Sequence, residues 1–217
     1  MAADLQTSGF KLVGGSPSLD FVNTVGGWAG DPENKLVRDA VLREKLSGYP
    51  DLVAWGRQAG LLADKEAKRL LRLADEEAGA AGVVFKRGLK LRETIYRLFK
   101  SVVDNRRPDP ADLEQLNEEL LIARGHEKLA YAGGALEWSW NDRAEALDCV
   151  LWPLALSAAE LLTSGELSRV RQCGGEQCGW LFLDTSRNRS RQWCDMKDCG
   201  NLAKVRRFRQ RQHGRAQ

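Results

Sequence analysis

Four of the five cysteines in this chain of 217 residues fall close together, at Cys173, Cys178, Cys194 and Cys199. They form a Cys-x4-Cys pair, an interval of 15 residues and a second Cys-x4-Cys pair. Disulfide frameworks belong to oxidising compartments and spread their cysteines along the chain, whereas two tight pairs favour a metal. Residues 1–15 carry Asp4 and no apolar core, so no secretory leader is expected. A structural zinc site takes four thiolates at the corners of a tetrahedron. The expectation is therefore one Zn2+ per chain on these four sulfurs, with Gly174 and Gly175 leaving the first loop free to curl around it. An iron–sulfur cluster meets the same ligand count, and four reduced thiols are the simplest alternative; the basic surroundings favour zinc. Cys149 stands apart among Leu147, Val150, Leu151 and Leu154 and reads as a small core residue.

The segments between the cysteines outline a small unit. Trp180 to Leu183 reads as an apolar strand, Asp184-Thr185-Ser186 as a turn, and Gly200 to Gln212 as a helix with the last ligand at its start. Knuckle, hairpin and helix in that order make a treble-clef-like finger. In the helix, Leu202, Val205 and Phe208 recur every three residues and are expected to face the metal core. Lys204, Arg207 and Arg211 form one cationic stripe, with Arg206 and Arg209 beside it. Residues 168–217 hold 12 Lys/Arg against 4 Asp/Glu, a net charge of +8, while the chain as a whole carries only +3. A mildly acidic body with a basic tail points to a polyanionic partner, DNA foremost, met by Lys204, Arg206, Arg207, Arg209 and Arg211. A solvated helix kept for solubility is the alternative. Arg187, Asn188, Arg189 and Arg191 suit phosphate or carboxylate oxygens equally well. Nucleic acid, a small anion between finger and body, and salt bridges to the body all remain open for them.

The remaining residues, 43% apolar and 29% charged over the whole chain, suit a folded globular body. Phe10–Val13 and Ser18–Val22 are short, glycine-flanked and expected to be extended. Leu36, Val37, Val41, Leu42 and Leu46 suggest a helix, as do segments opened by Asp51 and Asp64. A longer helix carries Val84, Leu91, Ile95, Leu98, Val102 and Val103 inward. After Arg107-Pro108-Asp109-Pro110 comes a helix with Leu113, Leu116, Leu120 and Leu121. Lys128–Tyr131 and Leu136–Trp140 flank Gly133-Gly134 as a β-hairpin, with Trp138 and Trp140 on one face. Asp142 is expected to open a last helix to Thr163, kinked at Pro153. The fold class is α+β: a mostly helical domain with a small antiparallel sheet over 1–165, then the finger over 166–217. The longest apolar stretch, Cys149 to Ala159, is too short to span a bilayer, so a soluble, cytoplasmic protein without membrane contact is expected.

The run from Cys178 to Cys194, with Cys199-Gly200-Asn201 after it, resembles the bacterial CGNR zinc-finger family. Leu202 stands where that family has its arginine, so no role of that arginine carries over. Leu19-Asp20-Phe21-Val22-Asn23-Thr24 is similar to the opening of the ABATE domain that accompanies this finger. The resemblance implies a stress-related transcription regulator. On this reading the body senses a small-molecule effector or holds a homodimer, and the finger binds DNA. Asp20, Asn23 and Thr24 suit capping and turns first; otherwise they line an anion or ligand pocket with Trp28, shared with Arg187, Asn188 or Arg189. The runner-up is a small-molecule (anion)-binding protein with the finger as a lid and no DNA. Only His126 and His213 are present, and no nucleophile–base set can be assembled, so catalysis is not expected.

Overall fold

A computed structural model of the protein describes residues 9–26, 28, 43–143 and 145–213. Its body is a set of helices: α1 (Pro17–Val22), α2 (Tyr49–Gln58), α3 (Asp64–Glu76), α4 (Ala78–Val103), α5 (Pro110–Gly125) and α6 (Trp152–Thr163). Two short strands, β1 (Val25–Gly26) and β2 (Arg43–Glu44), pair antiparallel between α1 and α2. The hairpin β3 (Glu127–Ala132) and β4 (Ala135–Trp140) follows α5. Beyond α6 lie β5 (Val170–Gln172), β6 (Leu181–Leu183) and the final helix α7 (Asn201–His213). No helix among the described residues is long and apolar enough to cross a membrane.

Helix α1 replaces the extended segment expected at Ser18–Val22. Ser16 is extended at the cap position and Pro17 occupies the first turn, where its fixed φ and missing N–H cost nothing. Leu19, Phe21 and Val22 look strand-like because the helix is buried on every side, against α4, α6 and β6. Residues 10–13, expected to be extended, form no helix and join no sheet; the Gln58 amide donates to Phe10 O at 2.6 Å and accepts from Phe10 N at 3.0 Å. Of the helix expected around Leu36, Val37, Val41, Leu42 and Leu46, all but Leu46 lie outside the described residues; Leu46 is buried in the link ahead of α2.

The caps differ in detail from expectation. Gly48 and Ala63 take the cap positions of α2 and α3, and the carboxylates act from inside the first turn. Asp51 accepts from Ser47 N at 2.7 Å and Glu66 from Ala63 N at 2.7 Å. Asp109 caps α5 as expected, accepting from Ala111 N at 2.9 Å. Of the four leucines expected inward on α5, Leu116 is buried and Leu120 packs on the core, but Leu113 and Leu121 are exposed. The expected kinked helix from Asp142 is instead a 3-10 turn, Leu147–Val150, followed by α6 with Pro153 in its first turn. There a proline disturbs no earlier carbonyl, so no kink arises.

Trp55, Trp152, Phe21 and Phe99 are among the largest fully buried side chains of the core, and Cys149 is buried among them, its thiol pushed up to about 11 by burial. The Arg87 guanidinium ties α4 to Glu119 of α5 at 2.8 Å and to Asp148 at 2.9 Å. Val170, Leu181 and Leu183 belong to this same core. Alternation along β6 turns Phe182 the other way, to join Trp180, Cys173 and Cys194 in a second cluster. Asn23, just past α1, fastens the strand: its side chain donates to Leu181 O at 2.8 Å and accepts from Leu181 N at 3.1 Å. Both bonds are buried. Asn23→Ala should therefore strand two backbone groups and cost about 2–3 kcal/mol, read as a lower denaturant midpoint at unchanged slope.

Candidate metal centre

The four cysteine sulfurs converge. Those of Cys173, Cys178, Cys194 and Cys199 all lie within 4.8 Å of one another. Cys178 Sγ is 3.6 Å from Cys194 Sγ, and Cys194 Sγ is 3.7 Å from Cys199 Sγ. A tetrahedron of thiolates about 2.3 Å from zinc has an edge of about 3.8 Å, so the spacing is that of a shared ion. The first loop is closed by Cys173 N donating to Trp180 O at 2.8 Å and Cys178 N donating to Gly175 O at 3.0 Å. A Cβ on Gly175 would lie 3.2 Å from Cys199 Sγ and 3.1 Å from Cys178 Cβ, so a side chain there would crowd the sulfurs. The Cys173 thiol is drawn down by hydrogen bonds from Cys178 and Cys194, while that of Cys194 is pushed up by its hydrogen bonds with Cys173 and Cys178. Four sulfurs this close can all ionise only around a cation, and the four-cysteine set fits one zinc.

Arginine and aromatic groups hold the second pair in place. Arg191 lies 4.2 Å over the Phe182 ring and donates to Trp193 O at 3.0 Å, to Val13 O at 3.1 Å and to Cys194 O. Asp184, fully buried, accepts from Arg191 N at 3.0 Å, Ser186 N at 2.9 Å and Ser186 Oγ at 2.6 Å. Burial opposes its ionisation, but these donors outweigh it and hold the carboxyl below its usual range. Lys11 pairs with Asp195 at 3.0 Å and with Asp198, which straps residues 9–14 across the finger. Sequence reasoning set Arg191 among anion-binding candidates; its carbonyl partners make it a clamp. Lys11 did not stand out in the sequence, since its partners lie 184 and 187 residues away; Asp184 read as a turn residue, which its bonds to Ser186 bear out, but its bond to Arg191 N was not expected.

The N-terminal motif is occupied by structural bonds. Asp20 accepts from Gly14 N at 2.7 Å, and burial raises its carboxyl to about 6 against the pull of the Gly14 and Val13 N–H groups. Thr24 Oγ1 donates to Phe21 O at 2.7 Å and accepts from Arg92 at 2.9 Å. Trp28 stacks on Tyr96 with ring centroids 3.9 Å apart. Arg187, Asn188 and Arg189 sit on an exposed turn, with no hydrogen bond to Asp20, Asn23 or Thr24 among the described residues. Asp20, Asn23 and Thr24 are thus each engaged in hydrogen bonds within the protein. A cavity of about 430 Å³ lies elsewhere, between the first cysteine loop and α7, lined by Trp180, Trp193, Leu202, Arg206 and Arg207.

Helix α7 also departs from expectation. Leu202, Val205 and Phe208 are exposed by 59%, 47% and 63% instead of facing the metal. Trp180, Phe182 and Trp193 already enclose the sulfurs, and a single wide turn at Met196–Gly200 carries the chain away before α7 begins. The helix leaves as an arm, tied back by Arg206 to Glu176 at 2.7 Å. Lys204, Arg206, Arg207, Arg209 and Arg211 are all exposed, and of these only Arg206 has an acidic partner among the described residues.

Comparison with family models finds two matches. Residues 15–165 match the ABATE family, described as "Putative stress-induced transcription regulator", and residues 169–212 match the CGNR zinc finger. A comparison with curated proteins returns no match.

With one zinc bound per chain, Cys173→Ser should lose the metal and Cys149→Ser should keep it, as read by elemental analysis. Chelation should open 174–179 and 187–213 to protease while 49–163 stays resistant, because the metal supplies the order of loops that bury little apolar surface.

Proposed function

Given that the chain belongs to the ABATE family of regulators and carries a CGNR zinc finger, we propose that it regulates transcription by binding DNA through α7. The observation that carries this reading is the arm itself: Lys204, Arg207, Arg209 and Arg211 stand exposed beyond the metal centre without acidic partners among the described residues. Cations so placed neutralise backbone phosphates, and a helix of this width fits a major groove. Zinc acts structurally, fixing the direction in which the arm leaves the body. Residues 1–165 serve as the unit that receives a small-molecule effector or a second copy, and 166–217 as the DNA-binding unit. The Asn23 side chain positions the finger strand.

The cavity of about 430 Å³ beside the metal centre favours a second reading, in which a small anion binds against Arg206 and Arg207 and DNA is not bound.

Salt dependence separates the two. Four to six phosphate contacts give a log–log slope of roughly −4 to −5 for duplex affinity against salt. Lys204, Arg207 and Arg211 replaced together by alanine should flatten that slope by roughly 2 to 3 while zinc content stays at one per chain. No duplex binding at low salt, or a slope the triple variant leaves unchanged, would refute the DNA reading and favour the anion.

A further inference from the structure

The β3–β4 hairpin presents an apolar face that nothing among the described residues covers. Its register pairs Glu127 with Trp140, Leu129 with Trp138, and Tyr131 with Leu136. Gly133 and Gly134 make the turn at φ +59° and +87°, the left-handed pair that a two-residue hairpin needs. All six paired residues share one face. At its near end Trp140 packs on Trp152, ring centroids 5.5 Å apart, and Asn141 N donates to His126 O at 2.7 Å. Further out, Leu129, Tyr131, Leu136 and Trp138 are 60%, 74%, 72% and 69% exposed. The charged side chains Lys128 and Glu137 point to the opposite face, and Glu127 is paired with Arg124 at 2.8 Å.

We propose that this face is the dimer interface of the protein, its occupant a second copy of the same hairpin. Two features select that occupant. The first is area: the four side chains leave roughly 500 Å² of apolar surface, large for a monomer, and two such faces bury roughly 1,000 Å², where specific interfaces begin. The second is pattern. Leu129 lies beside Trp138 and Tyr131 beside Leu136, so the rings occupy one diagonal of the face and the leucines the other. A two-fold axis along the strands sets Leu129 against Trp138 and Tyr131 against Leu136 of the second copy. One across the strands sets Leu129 against Tyr131 and Leu136 against Trp138. In either arrangement every ring meets a leucine, so the face complements itself, as a two-fold interface requires. A lone two-stranded hairpin is marginal in water, and face-to-face packing supplies the burial it lacks.

The test is sedimentation equilibrium of the full zinc-loaded chain without nucleic acid, which keeps it apart from the DNA reading. Across the micromolar range the mass should rise from 24.2 kDa toward twice that value. Trp138→Glu and Leu129→Lys, each at an exposed site that leaves the body's helical spectrum unchanged, should weaken association about 30-fold or more. Glu137→Lys, on the far face, should not. Mixing Leu129→Lys with Trp138→Glu should restore the dimer if the axis runs along the strands, and mixing it with Tyr131→Glu should do so if it runs across. A chain monomeric throughout, a dimer indifferent to these changes, or failure of both mixtures would overturn the proposal.

Discussion

The hydrogen-bonded embrace of Leu181 by Asn23 is the contact on which the arrangement depends. One side chain supplies the donor and the acceptor that a neighbouring strand would have supplied, and so ends the β5–β6 ribbon inside the body instead of at an open edge. The strand it fixes has two faces with different tasks. Leu181 and Leu183 complete the helical core, while Phe182 supports the cluster around Cys173 and Cys194. The finger is therefore built onto a strand that the body already holds.

From this anchoring the rest of the finger follows. The first cysteine pair lies in the loop that joins β5 to β6, and Arg191 ties the segment before Cys194 to Val13 and to Phe182. With Trp180 and Trp193 packed around the sulfurs, the cluster is formed without side chains of α7. A helix with exposed arginines and exposed apolar residues then projects from a rigid base. Its cations keep full reach toward a polyanion, because only Arg206 is held by a carboxylate among the described residues.

Some of this was legible in the residues and some was not. The cysteine spacing pointed to the metal centre, since paired thiols have few other uses in such a pattern, and Gly133-Gly134 pointed to the hairpin. Long helices such as α4 showed their 3.6-residue period plainly. Short elements did not: α1 is buried all round, so its period is hidden, and its Leu, Phe and Val content mimics a strand. The Leu202, Val205 and Phe208 stripe misled for another reason. Periodicity reports that a face exists, not what covers it, and the covering side chains, Trp180 and Trp193, stand 22 and 9 residues from Leu202. Asn23 read correctly as a turn residue in type, but its true partner lies 158 residues away, beyond any local signal.

The claim that the finger grows from the body's own core is open to hydrogen exchange. In the zinc-loaded protein, amides of residues 180–184 should exchange as slowly as those of 91–99 in α4 and 154–158 in α6, because they open only when the core opens. Exchange of 180–184 at the faster rate of 201–212, with the helices still protected, would show a finger that opens by itself and would contradict the account.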